Sequence, residues 1–172
     1  MPGRAKICII DGQGGGIGAT LIKAIQLHYR DQVEILALGT NAIATAQMMK
    51  AGANRGASGE NAIVCTVGKA DLVMGPVAIT WANAMLGEVT PRMAEAVTSS
   101  QAHKILLPLS QENVTLVSLA AEPLPHMVEH AVDIRLRQQL TIDDPPVDRR
   151  SPSGKEPLRE CGPHAEERSR RS

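Results

Sequence analysis

The chain has no phenylalanine, one tyrosine (Tyr29) and one tryptophan (Trp81). Its core must therefore be aliphatic, built from Ile, Leu, Val, Ala and Met. The same scarcity argues against nucleic-acid readers, which stack bases on aromatic rings. An excess of one charge is lacking too. The 18 Lys+Arg balance 18 Asp+Glu, so nothing marks out a nucleic-acid or anionic-membrane partner. Cysteine is sparse, and Cys8, Cys65 and Cys161 show no metal-ligand or redox spacing. Cys8 and Cys65 fall in apolar, strand-like runs and read as small buried hydrophobes. Long hydrophobic runs are missing as well. The most apolar stretch, Leu72 to Leu86, is interrupted by Gly75, Pro76 and Asn83 and falls short of the roughly 20 residues a spanning helix needs. Met1-Pro2-Gly3-Arg4 leads into a strand rather than an apolar leader. A cytoplasmic protein with no membrane and no nucleic-acid partner is expected.

What is present is a glycine-rich turn in a telling context. The apolar run Ile7-Cys8-Ile9-Ile10 is followed by Asp11-Gly12-Gln13-Gly14-Gly15-Gly16-Ile17-Gly18 and then by a helical pattern from Ala19 to Leu27. Strand, glycine turn and helix together aim backbone N–H groups at an anion, most often a phosphate. Further on, strands are expected at Val33 to Leu38, Ala62 to Val67, Asp71 to Gly75 and Lys104 to Leu109, with a sixth at Val114 to Leu119. Helices are expected at Ala42 to Ala51, capped by Thr40, at Val77 to Leu86, at Arg92 to Ser99 behind the Thr90-Pro91 cap, and from Pro123-Leu124-Pro125 to Gln139. Gly52 to Gly59, small and polar with three glycines, reads as a loop that is mobile unless something orders it. This alternation predicts an α/β fold: a three-layer, Rossmann-like, doubly wound and mostly parallel sheet of five or six strands. The Rossmann-like domain covers residues 1–140. The tail, 141–172, carries seven basic and seven acidic residues and five prolines with few aliphatics, and is expected to be disordered.

Three templates compete for the turn. The phosphate loop of nucleoside triphosphatases needs Gly-x4-Gly-Lys-Ser/Thr, and no such lysine follows. The dinucleotide fingerprint Gly-x-Gly-x-x-Gly/Ala fits Gly14, Gly16 and Ala19, and the spacing Gly-x3-Gly-x-Gly of short-chain dehydrogenases fits Gly12, Gly16 and Gly18. NAD or NADP is thus a possible cofactor. The acidic residue usual at the end of the second strand is missing, however, because Gly39-Thr40-Asn41 stands there. The Tyr-x3-Lys pair of short-chain dehydrogenases is absent too, since Tyr29 is followed four residues on by Val33. The remaining reading is that the glycines only let strand and helix pack closely.

Ligands of open parallel sheets bind beyond the carboxyl ends of the strands. Those ends carry Asp11 and Gln13, Thr40 and Asn41, Pro76 and Ser110, with Glu60 and Asn61 folding over from the loop. The expected binding residues are Gly12, Gln13, Gly14, Gly15, Gly16, Ile17, Gly18, Thr40, Asn41 and Asn61. Asp11 also reads as a turn residue bonding the backbone two residues on. The candidates for acid–base work are the carboxylates Asp11, Glu60 and Glu88, with Glu60 or Glu88 the expected general base. His126 and His130 lie four apart but have no third ligand nearby, so no metal site is expected.

Four runs in order, Ile10 to Gly18, Ala37 to Asn41, Gly59 to Ile63 and Met85 to Pro91, resemble a small bacterial family described as a domain of unknown function. The resemblance covers about Lys6 to Val132. It implies a single Rossmann-like domain and brings no activity or catalytic residues with it; the tail from Thr141 departs from the family pattern. Three functions stay open: a protein binding a nucleotide or another small phosphate-bearing metabolite, an enzyme on a small phosphorylated or carboxylated substrate with a Glu general base, or an interaction protein without a ligand. A homodimer is expected, with the apolar helix Val77 to Leu86 and its Trp81 as one candidate face.

Overall fold

The computed structural model describes residues 4–109, 113–117, 119 and 122–140. The chain divides into two units, 1–142 and 143–172, and every described residue falls in the first. The expected disordered tail and Ser110 lie outside the described residues.

Five strands form one parallel sheet: β1 (Ala5–Asp11), β2 (Val33–Gly39), β3 (Arg55–Ser58), β4 (Leu72–Pro76) and β5 (His103–Leu107), in the order β3-β2-β1-β4-β5. The register runs from Ala5 opposite Val33 to Asp11 opposite Gly39. On the other side of β1, Ile7 to Ile9 face Leu72 to Met74. The order reverses between β1 and β4, the switch point beside which ligands of such sheets lodge.

β1 is apolar throughout because both of its faces are covered. Ile7 and Ile9 join a core with Ile22 and Ile25 of α1 (Gly16–Tyr29), Met48 of α2 (Ala42–Lys50) and Leu136 of the C-terminal helical run. Cys8 and Ile10 point the other way, into a core with Ile63 of α3 (Glu60–Val67) and Met93 of α4 (Pro91–Ser99). These two cores make the three layers. The C-terminal run comprises α5 (Leu124–Glu129), a π-helical stretch (His130–Leu136) and α6 (Arg137–Leu140). Buried Tyr29 donates its hydroxyl to the Val132 carbonyl at 3.1 Å, tying this run to α1. Tyr29→Phe is expected to cost about 1 kcal/mol of unfolding free energy. Urea denaturation checks this, and an unchanged midpoint would show the bond to be idle.

Four expectations need correction. The supposed loop Gly52 to Gly59 contains the edge strand β3, held by pairing with β2 from Leu36–Arg55 to Gly39–Ser58. Asn54 starts it, donating its N–H to the Ile35 carbonyl (3.0 Å) while its Oδ1 accepts the Ile35 N–H (2.7 Å). The supposed strand Ala62 to Val67 is helix α3, which buries Ile63 and Val67 one helical turn apart and leaves Cys65 exposed. The stretch Val77 to Leu86 forms a short 3₁₀ turn (Val77–Thr80) and then a tight loop, with positive φ at Asn83, Met85 and Leu86; the helical dimer face does not form. Within 114–119, no described residue is in a strand.

Candidate functional site

β1 runs out at Asp11, and the chain reverses. The Gly15 N–H donates to the Gly12 carbonyl at 2.9 Å, and the Ala19 N–H to the Gly15 carbonyl at 2.9 Å opens α1. Gly15 takes φ +69°, and a Cβ there would lie 2.7 Å from the Ala44 Cα and carbonyl oxygen. Gly12 is hemmed by Met85 Sδ and Thr40 Oγ1, each 2.6 Å from the place of a Cβ, and Gly18 by Met48 Sδ at 2.5 Å. At Gly14 and Gly16 a Cβ would meet nothing within 4 Å, and neither has a positive φ. The turn therefore has two kinds of glycine. Gly15 is demanded by its φ and by the Ala44 backbone, and Gly12 and Gly18 are closely packed against neighbouring side chains. Gly14 and Gly16 are under neither constraint.

Asp11 is 3% exposed. Its carboxylate folds under the turn and accepts the N–H groups of Gly12 (2.8 Å), Gly18 (2.7 Å) and Ile17. It thus caps α1, rather than bonding two residues on. Burial pushes its pKa up; the three N–H groups oppose this without cancelling it, and the charge of Glu88 adds to the rise.

Glu88 reaches the turn from the loop before α4. Its Oε2 accepts the Gln13 N–H (2.8 Å), the Thr40 hydroxyl (2.6 Å) and the Asn41 Nδ2 (2.9 Å). Burial alone would raise the Glu88 pKa, but the three hydrogen bonds outweigh it and hold the carboxyl below its ordinary value. Glu88 is then an ionised acceptor at neutral pH and a weak base. Asn41 also donates to the Gln13 carbonyl (3.1 Å), and its Oδ1 accepts the Ala44 N–H (2.8 Å). Asn41 is therefore the cap of α2. Thr40, expected in that role, turns to Glu88 instead.

Glu60, the first residue of α3, makes other bonds. It accepts the Thr90 hydroxyl at 2.6 Å and pairs with Arg92 at 3.1 Å, which joins α3 to α4. Asn61 is exposed and partners Cys65 Sγ at 3.5 Å. Among the described residues no hydrogen bond links Glu60 or Asn61 to the turn. The structure thus gathers Asp11, Gln13, Thr40, Asn41 and Glu88 around the glycines and leaves Glu60 and Asn61 out of that set of hydrogen bonds. Sequence reasoning missed Met85, Met48 and Ala44, which wall in Gly12, Gly18 and Gly15. Nothing in their residue types signals such a role.

No group of three His, Cys, Asp or Glu among the described residues is placed to hold a metal ion. No helix among them is long and apolar enough to cross a membrane.

Comparison with solved structures finds an FMN-dependent UbiX-like decarboxylase from Escherichia coli O157:H7, a dodecamer, at 16% identity and a TM-score of 0.44; the match covers 82% of this chain and 96% of that one. A universal stress protein in complex with cAMP matches at 19% identity and a TM-score of 0.35, over 60% of this chain and 97% of that one. Neither likeness is close enough to speak for ligand or activity. Comparison with curated proteins gives no match. A family model described as a domain of unknown function matches residues 6–140. That span takes in the sheet from the second residue of β1 onward, the glycine turn and the C-terminal helical run, and the chain belongs to this family, DUF3842.

Proposed function

We propose that the protein binds a nucleotide, with a ligand phosphate held against the glycine turn at Gly14 and Gly16. One observation carries this reading: both residues are glycine where the fold has room for a side chain and asks for no special backbone angle. A missing side chain that the chain itself does not need lets something else approach the backbone closely. The hydrogen bonding agrees. Asp11 takes the N–H groups of Gly12, Ile17 and Gly18, Glu88 takes that of Gln13, and Gly12 takes that of Gly15. The N–H groups of Gly14 and Gly16 have no acceptor among the described residues. They lie at the start of α1, where the helix dipole favours an anion.

The engaged state of Glu60 and the depressed pKa of Glu88 favour binding over general-base catalysis. The test is thermal stabilisation of the full chain by NAD, NADH, NADP, NADPH, coenzyme A, ATP and phosphosugars. A ligand at about 100 times its dissociation constant adds roughly 2.7 kcal/mol. Gly16→Val is expected to remove that gain while leaving the unliganded melting temperature close to the parent's. A Gly16→Val protein that binds as well as the parent would make the turn purely structural.

A further inference from the structure

The end of β2 lacks the carboxylate that dinucleotide sites place there, yet a carboxylate stands at that spot in space. We propose that Glu88, delivered from the β4–α4 loop, is the ribose-reading residue of the nucleotide site. It would select a ligand whose ribose has free vicinal hydroxyls, as in NAD, and reject one with a 2′-phosphate, as in NADP. The inference rests on the nucleotide-binding reading above and adds the ligand's chemical class.

Glu88 Oε2 sits on Thr40 and Asn41, the two residues directly after β2, and on the N–H of Gln13 within the glycine turn. It lies 2.9 Å from the place of a Gly12 Cβ. A carboxylate bridging the β2 end and the first glycines occupies the place where a ribose diol is read in dinucleotide-binding sheets. All three bonds fall on Oε2 and none of them on Oε1. A carboxylate has about four acceptor positions, so it retains capacity for a diol. Three donors fix its orientation, as a recognition group requires.

Electrostatics supply a second, independent reason. The carboxyl edge of the sheet holds the strand ends and the helix N-termini. Among the described residues, the basic side chain on that edge is Arg92, in the first turn of α4, and it is already paired with Glu60 at 3.1 Å. Of the other lysines and arginines of the strands and their connections, Lys6, Arg30, Lys50, Arg55, Lys69 and Lys104 lie at the opposite edge or in the final turns of helices, and Lys23 is exposed midway along α1. Among the described residues, a 2′-phosphate would therefore meet the charge of Glu88 with no unpaired Lys or Arg on that edge to offset it, so the site both attracts the diol and repels its phosphorylated form.

The experiment is isothermal titration of the full chain with NAD, NADP, ATP and 2′-deoxy-ATP. NAD is expected to bind at least tenfold more tightly than NADP, and ATP about tenfold more tightly than 2′-deoxy-ATP. In Glu88→Gln both ratios are expected to fall to within about threefold, because the amide neither repels a phosphate nor accepts as strongly. A Glu88 that merely pinned its loop would change all four affinities together and leave the ratios intact. Equal binding of the paired ligands by the parent overturns the inference even if Glu88→Gln does not fold, and leaves the nucleotide site standing. If none of the four binds, the nucleotide-binding reading falls and this inference with it.

Discussion

Gly15→Ala is expected to destabilise the protein by about 3 kcal/mol, while Gly16→Ala, one residue on, leaves it unchanged or raises stability by about 0.5 kcal/mol. At Gly15 two costs add. The residue holds φ +69°, where an L side chain is strained by roughly 1–2 kcal/mol. Its new Cβ would also press at 2.7 Å on the backbone of Ala44. Ala44 cannot retreat, because its own N–H is fixed to Asn41 Oδ1 in the cap of α2 and its side chain is fully buried. Overpacking of that kind costs about 1–3 kcal/mol. At Gly16 the φ is ordinary, the surroundings are open, and the position is the first of α1, so alanine only reduces the freedom of the unfolded chain. Thermal melts of the two variants decide the matter. For a domain of this size the Gly15 variant should melt roughly 10 °C lower. Equal losses at both positions would contradict the division of the turn into structural and open glycines, and with it the observation on which the proposed phosphate contact rests.

Elements with their own local signal were legible in the sequence. The β1 run, the glycine turn, the strand expected at Val33 to Leu38 and the Thr90-Pro91 cap each declare themselves within a few residues, and the structure has them there, with Gly39 added to the strand. Elements set by distant partners were not. β3 is Arg55-Gly56-Ala57-Ser58, exposed and without a β-branched residue; it is a strand because β2 offers an unpaired edge, not because its sequence favours one. In α3, Ile63, Val64, Thr66 and Val67 suggested a strand by residue type, and the four-residue spacing of Ile63 and Val67 was the better guide. The site divides the same way. Gly12 to Gly18, Thr40 and Asn41 follow from strand ends. The role of Glu88 does not, because its partners stand 75, 48 and 47 residues away in the chain, and no spacing rule spans that distance.

Glu88 is also where acid should act on stability. The sign follows from its depressed folded-state pKa. A carboxyl held below its unfolded value contributes stability above that value, and the contribution is lost as pH falls through the folded pKa. Asp11 works in the opposite sense. Its folded pKa is raised by burial, so its contribution is fully present below the unfolded value and is lost as pH rises through the folded one. A plain pH profile of the parent mixes the two. The difference between the parent and Glu88→Gln at each pH removes most of the Asp11 part. At pH 7 the parent is expected to be more stable by about 1–2 kcal/mol, since hydrogen bonds to a charged acceptor exceed those to a neutral one. Glu88 is only partly buried, and removing its charge eases the ionisation of nearby Asp11; both effects keep the figure from being larger. As pH falls below the ordinary carboxylate range towards the lowered folded value, the difference should shrink towards zero as the parent's Glu88 takes up its proton. Urea denaturation at pH 7, 5, 4 and 3 measures it. A difference that stayed constant across that range would mean that the Glu88 contacts act through shape alone, and that its charge contributes nothing to holding the β4–α4 loop against the glycine turn.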